Sequence, residues 1–389
     1  MSNSRDNREV HAPFDSRRIF EGDRTLWIIY AVLIIVSILV VYSSTAKMAY
    51  DTTSHLTTTE SLRQQVMYVL VMSLPMIFIA HKINYNVYRY TTRLGYLLFI
   101  GLTIATYIVG AKTNGVARWL PIGPIQFQPS EVAKFTMILL FARLTRQFGP
   151  DAKLFRYGVL GFGCALMGIL VPLALEKHLS AIMLMGMVAV VMMFVAGTDM
   201  KWLLAGAAVA VLFVIVYITF MGYAGDRVTA WLHPESDPSD KGYQILQSLY
   251  AIGSGGLFGL GLGKSKQKYL YLPFQYNDYI FAIVCEELGL LGALLIMMLF
   301  GVTILRGYWI ALQARDRFST VLASGLVTLI AIQTILNLAV VTNLLPSTGI
   351  SLPFFSYGGT ALAVNLGEMG IVLSISRHRY DRKKQEVIL

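Results

Sequence analysis

The chain is short of charge. Only 14% of its 389 residues are Asp, Glu, Lys or Arg, while 56% are hydrophobic, and the mean hydropathy is +0.60. Soluble proteins of this size carry roughly a quarter charged residues, so a water-soluble globular fold is excluded and a bilayer is the expected solvent. Cysteine is nearly missing too. Cys164 and Cys285 both fall in apolar runs, where a small buried hydrophobe is the simpler reading than a disulfide, so neither reports on redox compartment. No all-protein metal motif, internal repeat or low-complexity tract is visible. A cleavable signal peptide is not expected either, because the first apolar run is of full spanning length behind a long polar tail and reads as a retained helix.

Apolar stretches of about 20 residues, the length that crosses about 30 Å of hydrocarbon, recur along the chain. Ten can be placed, near 26–46, 64–80, 94–110, 131–143, 157–175, 180–197, 202–222, 279–300, 318–342 and 359–376. The fourth has the shortest apolar run, since Glu131 and Lys134 occupy its first turn. The expected fold is an all-α polytopic membrane protein with ten transmembrane helices. An even count puts both termini on one side. Of the 32 basic residues, 21 lie in the two tails and the alternate loops, and this bias marks that side as cytoplasmic. Residues 1–25 are then a cytoplasmic tail, 26–376 the membrane domain, and 377–389 a basic cytoplasmic tail. The net charge of +10 is what orientation and an anionic bilayer surface require, and it needs no nucleic acid.

One connection stands out for length. Residues 223–278, between the seventh and eighth spans, form a large extracytoplasmic loop, and loops this long are functional or disordered. Its middle, KGYQILQSLYAIGSGGLFGLGLG, has helical apolar spacing and then a glycine tract, which serves either close approach of a ligand or flexible turns. Lys264, Lys266 and Lys268 follow at alternate positions. They read as a solvated face or as a phosphate site.

Two other outer segments carry polar density. NGVARWLPIGPIQFQPSEVAK holds Arg118, Gln128, Ser130, and Glu131 with Lys134 one helical turn apart, which is a structural ion pair at a helix mouth or a polar substrate site. LLPSTGISLPFFSYGGTA ends in Ser356, Tyr357, Gly358 and Gly359. Non-helical backbone at membrane depth is tolerated where it is buried in protein or lines a cavity. Three such segments on one face imply one extracytoplasmic site. Within YLPFQYNDYIFAIVCEELG, Asp278 stands where the eighth span begins and reads as its N-cap or as a base. Glu286 and Glu287, two turns deeper, point about 100° apart, and at least one is expected to make interhelical hydrogen bonds.

QFQPSEVAK, GLGKSKQKYLYLPFQYNDYIFAIVCEELG and LLPSTGISLPFFSYGG together resemble the SEDS family, the polytopic bacterial proteins of shape, elongation, division and sporulation. The likeness runs from the first span to the end, and Gln267, Lys268 and Tyr271–Pro273 are closer to the division-type members. The resemblance implies a peptidoglycan glycosyltransferase that polymerises lipid II onto a growing glycan strand at the outer face of the cytoplasmic membrane. It places the catalytic acid on Asp278, associates Glu131 and Lys134 with activity, and leaves Glu286 and Glu287 as support. Asp278 would take a proton from the acceptor sugar's 4-hydroxyl. Positive charge, from Arg118, Lys134, Lys264, Lys266 and Lys268 or a divalent cation (Mg or Mn), would stabilise the lipid pyrophosphate that leaves.

A class B penicillin-binding protein and other divisome proteins are the implied partners. Two places depart from the family pattern: Phe274–Asn277 precede Asp278 without an acid or histidine, and Lys177 and His178 stand where a Pro-Asp pair is common. No role is carried onto that second loop. Other readings are a lipid II flippase with Glu131, Lys134, Glu286 and Glu368 as a polar path, an elongation-type polymerase, and a division scaffold.

Overall fold

The computed structural model describes residues 21–45, 58–113, 116–122, 125–176, 178–208, 229–236, 241–270, 278–355 and 359–386. Their main helices are α1 (Arg24–Ser44), α2 (Thr58–Met67), α3 (Leu74–Lys82), α4 (Tyr85–Val109), α5 (Pro129–Phe148), α6 (Phe162–Leu175), α7 (Leu179–Ala196), α8 (Lys241–Gly255), α9 (Gln267–Leu270), α10 (Ile280–Leu312), α11 (Arg317–Val341) and α12 (Gly359–Glu386). A π-helical turn, Tyr68–Ser73, joins α2 to α3, and another, Phe155–Gly161, leads into α6. Such turns widen the backbone locally without breaking the rod.

Eight helices among the described residues are long and apolar enough to cross a membrane. Of the two other expected spans, α5 has 20 residues but carries Glu131, Lys134, Arg143 and Arg146, so it falls short in apolarity and not in length. The seventh begins as a helix over 200–208, and its remainder lies outside the described residues. The structure also adds a small sheet to an otherwise helical chain. Strands β1 (Ala111–Thr113), β2 (Val116–Ile122) and β3 (Ile125–Phe127) form an antiparallel meander between α4 and α5.

Burial separates the helices into an inner and an outer set. In α11 and α12, 78% and 89% of the apolar window is buried within the protein, against 17% in α4. The outer helices turn Leu94, Leu97, Leu98, Leu294 and Leu295 outward, as lipid-facing surfaces must. At the end where α1 begins, Asp23 caps that helix by accepting from the Leu26 N–H at 3.2 Å. The same carboxylate accepts from Arg306 Nε of α10 at 2.8 Å, and the Asp23 N–H donates to Ser376 Oγ of α12 at 3.0 Å. One acid thus ties three helices together.

The long helix α10 is broken. Gly289 adopts φ 66°, ψ −169°, a conformation open essentially to glycine alone. The turn after α8 fills the break: Leu260 and Gly261 donate their N–H groups to the carbonyls of Glu286 and Glu287 at 2.9 Å each, and Gly256 and Leu257 accept from Leu290 and Leu291 at 2.9 and 3.2 Å. This assigns the glycine tract a third role beside the two expected. Its backbone serves as hydrogen-bonding partner to a split helix, and a side chain would prevent the approach: a Cβ on Gly259 would lie 2.2 Å from the Glu287 carbonyl oxygen.

Gly259→Ala is therefore expected to destabilise the protein by about 3 kcal/mol or more. Gly253→Ala, at a helical position with open space around the added carbon, should leave the melting temperature in detergent nearly unchanged. Equal melting of the two variants would contradict the backbone pairing described.

Candidate active site

Asp278 occupies the turn that precedes α10. The residue flanking the helix is Tyr279, whose side chain makes no cap hydrogen bond, so the N-cap position, one of the two readings given for Asp278, falls one residue later. The backbone of Asp278 is held instead. Asn337 Nδ2 of α11 donates to the Asp278 carbonyl at 2.8 Å and to the Ile350 carbonyl at 2.9 Å, clamping the turn to the segment after α11. The carboxylate lies beside Gly349: a Cβ built there would be 3.6 Å from Asp278 Oδ2. That segment starts from a left-handed C-terminus, Asn343 with φ 59°, where asparagine is among the few residues tolerated.

Gly349 also lines a small polar cavity, about 60 Å³, with Ser130, Glu131, Lys134, His178 and Gln333. That volume accommodates a few waters or one polar group of a ligand. Pro129 at the start of α5 sets the entry of the chain, and Glu131 and Lys134 share one face of the first turns. Lys134 Nζ lies 2.9 Å from Glu131 Oε1, and both side chains are buried. Of the two expected readings, the ion pair is present, and both residues also line the cavity. Among the described residues, Glu131 Oε2, His178 Nδ1 and Gln333 Oε1 are buried without a hydrogen-bond partner. Polar atoms in that state call for water or ligand.

The wall opposite α5 is one that sequence reasoning left without a role. The turn between α6 and α7 contributes His178 and carries Glu176 two residues before it, and the Ser180 hydroxyl donates to the Thr348 carbonyl, fastening this wall to the Gly349 segment. Burial pushes the Glu176 carboxyl up to about 7, and the Arg118 guanidinium pulls it back. Burial, then the charges of Arg118 and Lys134, lower the His178 imidazole to about 4, so it is neutral at pH 7. Glu368 of α12 is within electrostatic reach of Lys134 and Glu131. Arg118, on β2, is likewise within electrostatic reach of Glu176 and His178. The signal that could have found His178 and Glu176 was present: ionisable residues between two apolar runs, at the outer end, usually face a polar interior.

The remaining expected residues divide. Gln128 and Ser130 line the cavity. Lys264 and Lys266 are exposed on the connection between α8 and α9, apart from the residues that line it. Lys268 departs from the expected surface row: it is fully buried, 2.7 Å from Glu287 Oε1, and donates to Ser43 Oγ at 2.9 Å. Its charge is thus neutralised within the protein. Gly359 begins α12 against the Tyr68 ring, a packing contact. Ser356, Tyr357 and Gly358 lie outside the described residues.

Glu286 and Glu287 meet the loop before Asp278. Glu286 Oε1 accepts from the Lys266 N–H at 2.9 Å, and its Oε2 from the Ser265 hydroxyl. A carboxylate from α10 therefore satisfies the start of the short helix α9. Glu287 accepts from Lys268 and from the Ser43 hydroxyl of α1 at 2.6 Å. Among the described residues, no group of three or more His, Cys, Asp or Glu is arranged to hold a metal ion.

A family model described as the FtsW/RodA/SpoVE cell cycle protein matches residues 23–381. The chain belongs to that family. It is 38% identical over 318 residues, 81% of its length and 85% of the relative's, to the probable peptidoglycan glycosyltransferase FtsW of Geobacter sulfurreducens. To the peptidoglycan glycosyltransferase MrdB of Escherichia coli it is 34% identical over 366 residues, 92% of this chain and 94% of that one. Among solved structures it superposes on a chain of a peptidoglycan synthase complex that coordinates polymerization and crosslinking. The TM-score is 0.76 and the identity 25%, covering 92% of this chain and 98% of the other. FtsW/RodA/SpoVE membership accords with the helical, multi-pass architecture above.

Two measurements test the electrostatics. Truncating one partner of the Glu287–Lys268 pair, as Lys268→Met, should destabilise by about 3–5 kcal/mol. Adding Glu287→Gln should recover part of that, because an unpaired buried charge costs more than a neutral pair. Glu176, raised from 4.5 to about 7, contributes stability that is full below pH 4.5 and lost as pH rises toward 7. Glu176→Gln should remove a carboxyl titration step near neutral pH in infrared difference spectra.

Proposed function

We propose that the chain polymerises lipid II into β-1,4 glycan strands at the outer face of the bacterial cytoplasmic membrane, in septal wall synthesis during division. It is a peptidoglycan glycosyltransferase by family, and the finer assignment rests on one observation. Asp278, held by Asn337, lies beside Gly349, which lines a cavity containing a buried Glu131–Lys134 pair and polar atoms that await a partner. A carboxylate next to a polar, cation-bearing cavity is what glycosyl transfer to a hydroxyl requires.

Asp278 takes the proton from the acceptor's 4-hydroxyl as that oxygen bonds to the anomeric carbon of the donor strand. The bond from that carbon to the pyrophosphate breaks, and the electron pair departs with the lipid pyrophosphate. The anomeric centre inverts from α to β. Because the leaving group is already a weak base, no acid need protonate it. Lys134 and Arg118 supply positive charge at the cavity, and Lys264 and Lys266 supply it at the loop surface. Glu131 holds the Lys134 ammonium in place. One carboxylate is sufficient, in contrast to the pair that glycoside hydrolysis uses.

This reading includes ten crossings with both termini cytoplasmic and residues 223–278 outside, which puts Asp278 and the cavity on the face where lipid-linked sugars are assembled into wall. It also includes a class B penicillin-binding protein that crosslinks the nascent strands, other divisome proteins, and a divalent cation carried with the pyrophosphate. The neighbouring synthase complex supports the first of these.

With purified lipid II and the cognate transpeptidase in liposomes, wild type should give long strands on a glycan gel. Asp278→Asn should lower the rate by at least about a hundredfold while leaving folding and partner binding intact. Equal product from both would remove Asp278 from the chemistry, and no product from either would reopen the flippase reading.

A further inference from the structure

At the opposite end of α5 from the cavity, a second site is built from arginine. Arg89 and Arg93 stand one turn apart on α4, and Arg143 and Arg146 one turn apart on α5. The two helices pack against each other, and the four side chains converge with Tyr90 and Gln147 on one depression of about 480 Å³. No acid lines it. Among the described residues none of the four arginines pairs with a carboxylate, although the protein pairs Arg306, Lys134, Lys201 and Lys268 with acids elsewhere. The Arg89 guanidinium lies over the Tyr90 ring, 5.3 Å from its centre, and its Nη2 donates to the Tyr90 hydroxyl at 3.3 Å.

Four guanidinium groups crowded together repel one another unless an anion sits among them. Basic residues scattered along a cytoplasmic edge are expected of any membrane protein, but that bias does not gather four from two helices around one concavity. Exposed apolar residues follow Arg93 on the same helix. Leu94, Leu97 and Leu98, directly after Arg93 on α4, are 66%, 68% and 52% exposed and form an apolar wall along which acyl chains can lie. Guanidinium is the cation best matched to phosphate oxygens, which it grips by paired N–H donors.

We propose that this depression is a binding site for the headgroup of an anionic phospholipid, with two phosphates shared between the Arg89–Arg93 and Arg143–Arg146 pairs and the acyl chains against Leu94, Leu97 and Leu98. Basic pockets between membrane helices hold headgroups in this manner. The site lies about 20 Å along α5 from Glu131, by helical rise, so the lipid is no substrate of the polar cavity. It braces α4 against α5, the helix that presents Glu131 and Lys134.

The test uses the full chain purified in detergent. Native mass spectrometry counts retained phospholipid while vesicles of phosphatidylcholine alone, or doped with phosphatidylglycerol or diphosphatidylglycerol, are titrated in. Inorganic pyrophosphate serves as the soluble control. Wild type should retain diphosphatidylglycerol most strongly, with a matching rise in melting temperature. Arg93→Gln with Arg146→Gln, both at exposed positions, should weaken that retention about thirtyfold without lowering the melting temperature measured in phosphatidylcholine. Equal retention by wild type and variant overturns the site. Retention of phosphatidylcholine as strong as that of diphosphatidylglycerol overturns the phosphate assignment, and stabilisation by pyrophosphate as large as by the lipid replaces the lipid with a soluble anion. A second variant, Lys153→Gln, removes one exposed charge from the following turn outside the depression. A thirtyfold loss there too would reduce the effect to net charge and overturn the built site.

Discussion

A backbone that leaves the helical path inside a membrane must find hydrogen-bond partners within the protein, because hydrocarbon offers none. That requirement is concentrated at Gly289. The break frees carbonyls on one side and N–H groups on the other, and residues 256–261 answer both. The glycines of that turn follow from the closeness of the approach. So does the placing of α8, which must run against α10 to deliver the turn, with its Ser248 hydroxyl bonded to the Val341 carbonyl at the end of α11.

The same stretch of α10 then works through its side chains. Glu286 and Glu287, whose carbonyls accept from Leu260 and Gly261, send their carboxylates to the Ser265–Lys268 segment. Ser43 joins from α1. Backbone and side chain together fix the chain just before the stretch that leads to Asp278, while Asn337 fixes it just after. An acid positioned from both directions can be offered to a cavity without itself being buried, since Asp278 is only half-buried. The buried carboxylates of Glu286 and Glu287 thus serve position here.

Much of this was legible in the sequence, and the limits have physical causes. Length and apolarity locate helices reliably, which is why eight expected spans appear as such helices. They are weakest at α5, a helix of 20 residues whose Glu131 and Lys134 pair inside the protein and whose Arg143 and Arg146 stand at its other end. Alternation over Lys264, Lys266 and Lys268 suggested one surface, but a short helix starts at Gln267 and turns Lys268 inward to Glu287. Spacing cannot reveal a partner that is 19 residues away in sequence and on another helix. The glycine tract announced close approach without saying to what. His178 was passed over because likeness to a family directs attention to what is shared. Its place on the cavity wall depends on a fold that brings α7 against the segment after α11, a contact no local pattern encodes.

The inner helices are also the last to be made. α12 has a hydropathy of only 1.3 in its best window, yet 89% of that window is enclosed, whereas α1 reaches 2.6 with 39% enclosed. Lipid alone therefore holds α1 across the bilayer far more strongly than it holds α12, whose residence depends on the helices already inserted around it. Until synthesis delivers that final segment, the earlier helices surround an incomplete centre, and the Ser376 contact that engages Asp23 is missing. Assembly of these helices is in that sense closed by α12, and a chain stopped short of it would present quality-control proteases with the uncovered faces of α3 and α11 that pack on it.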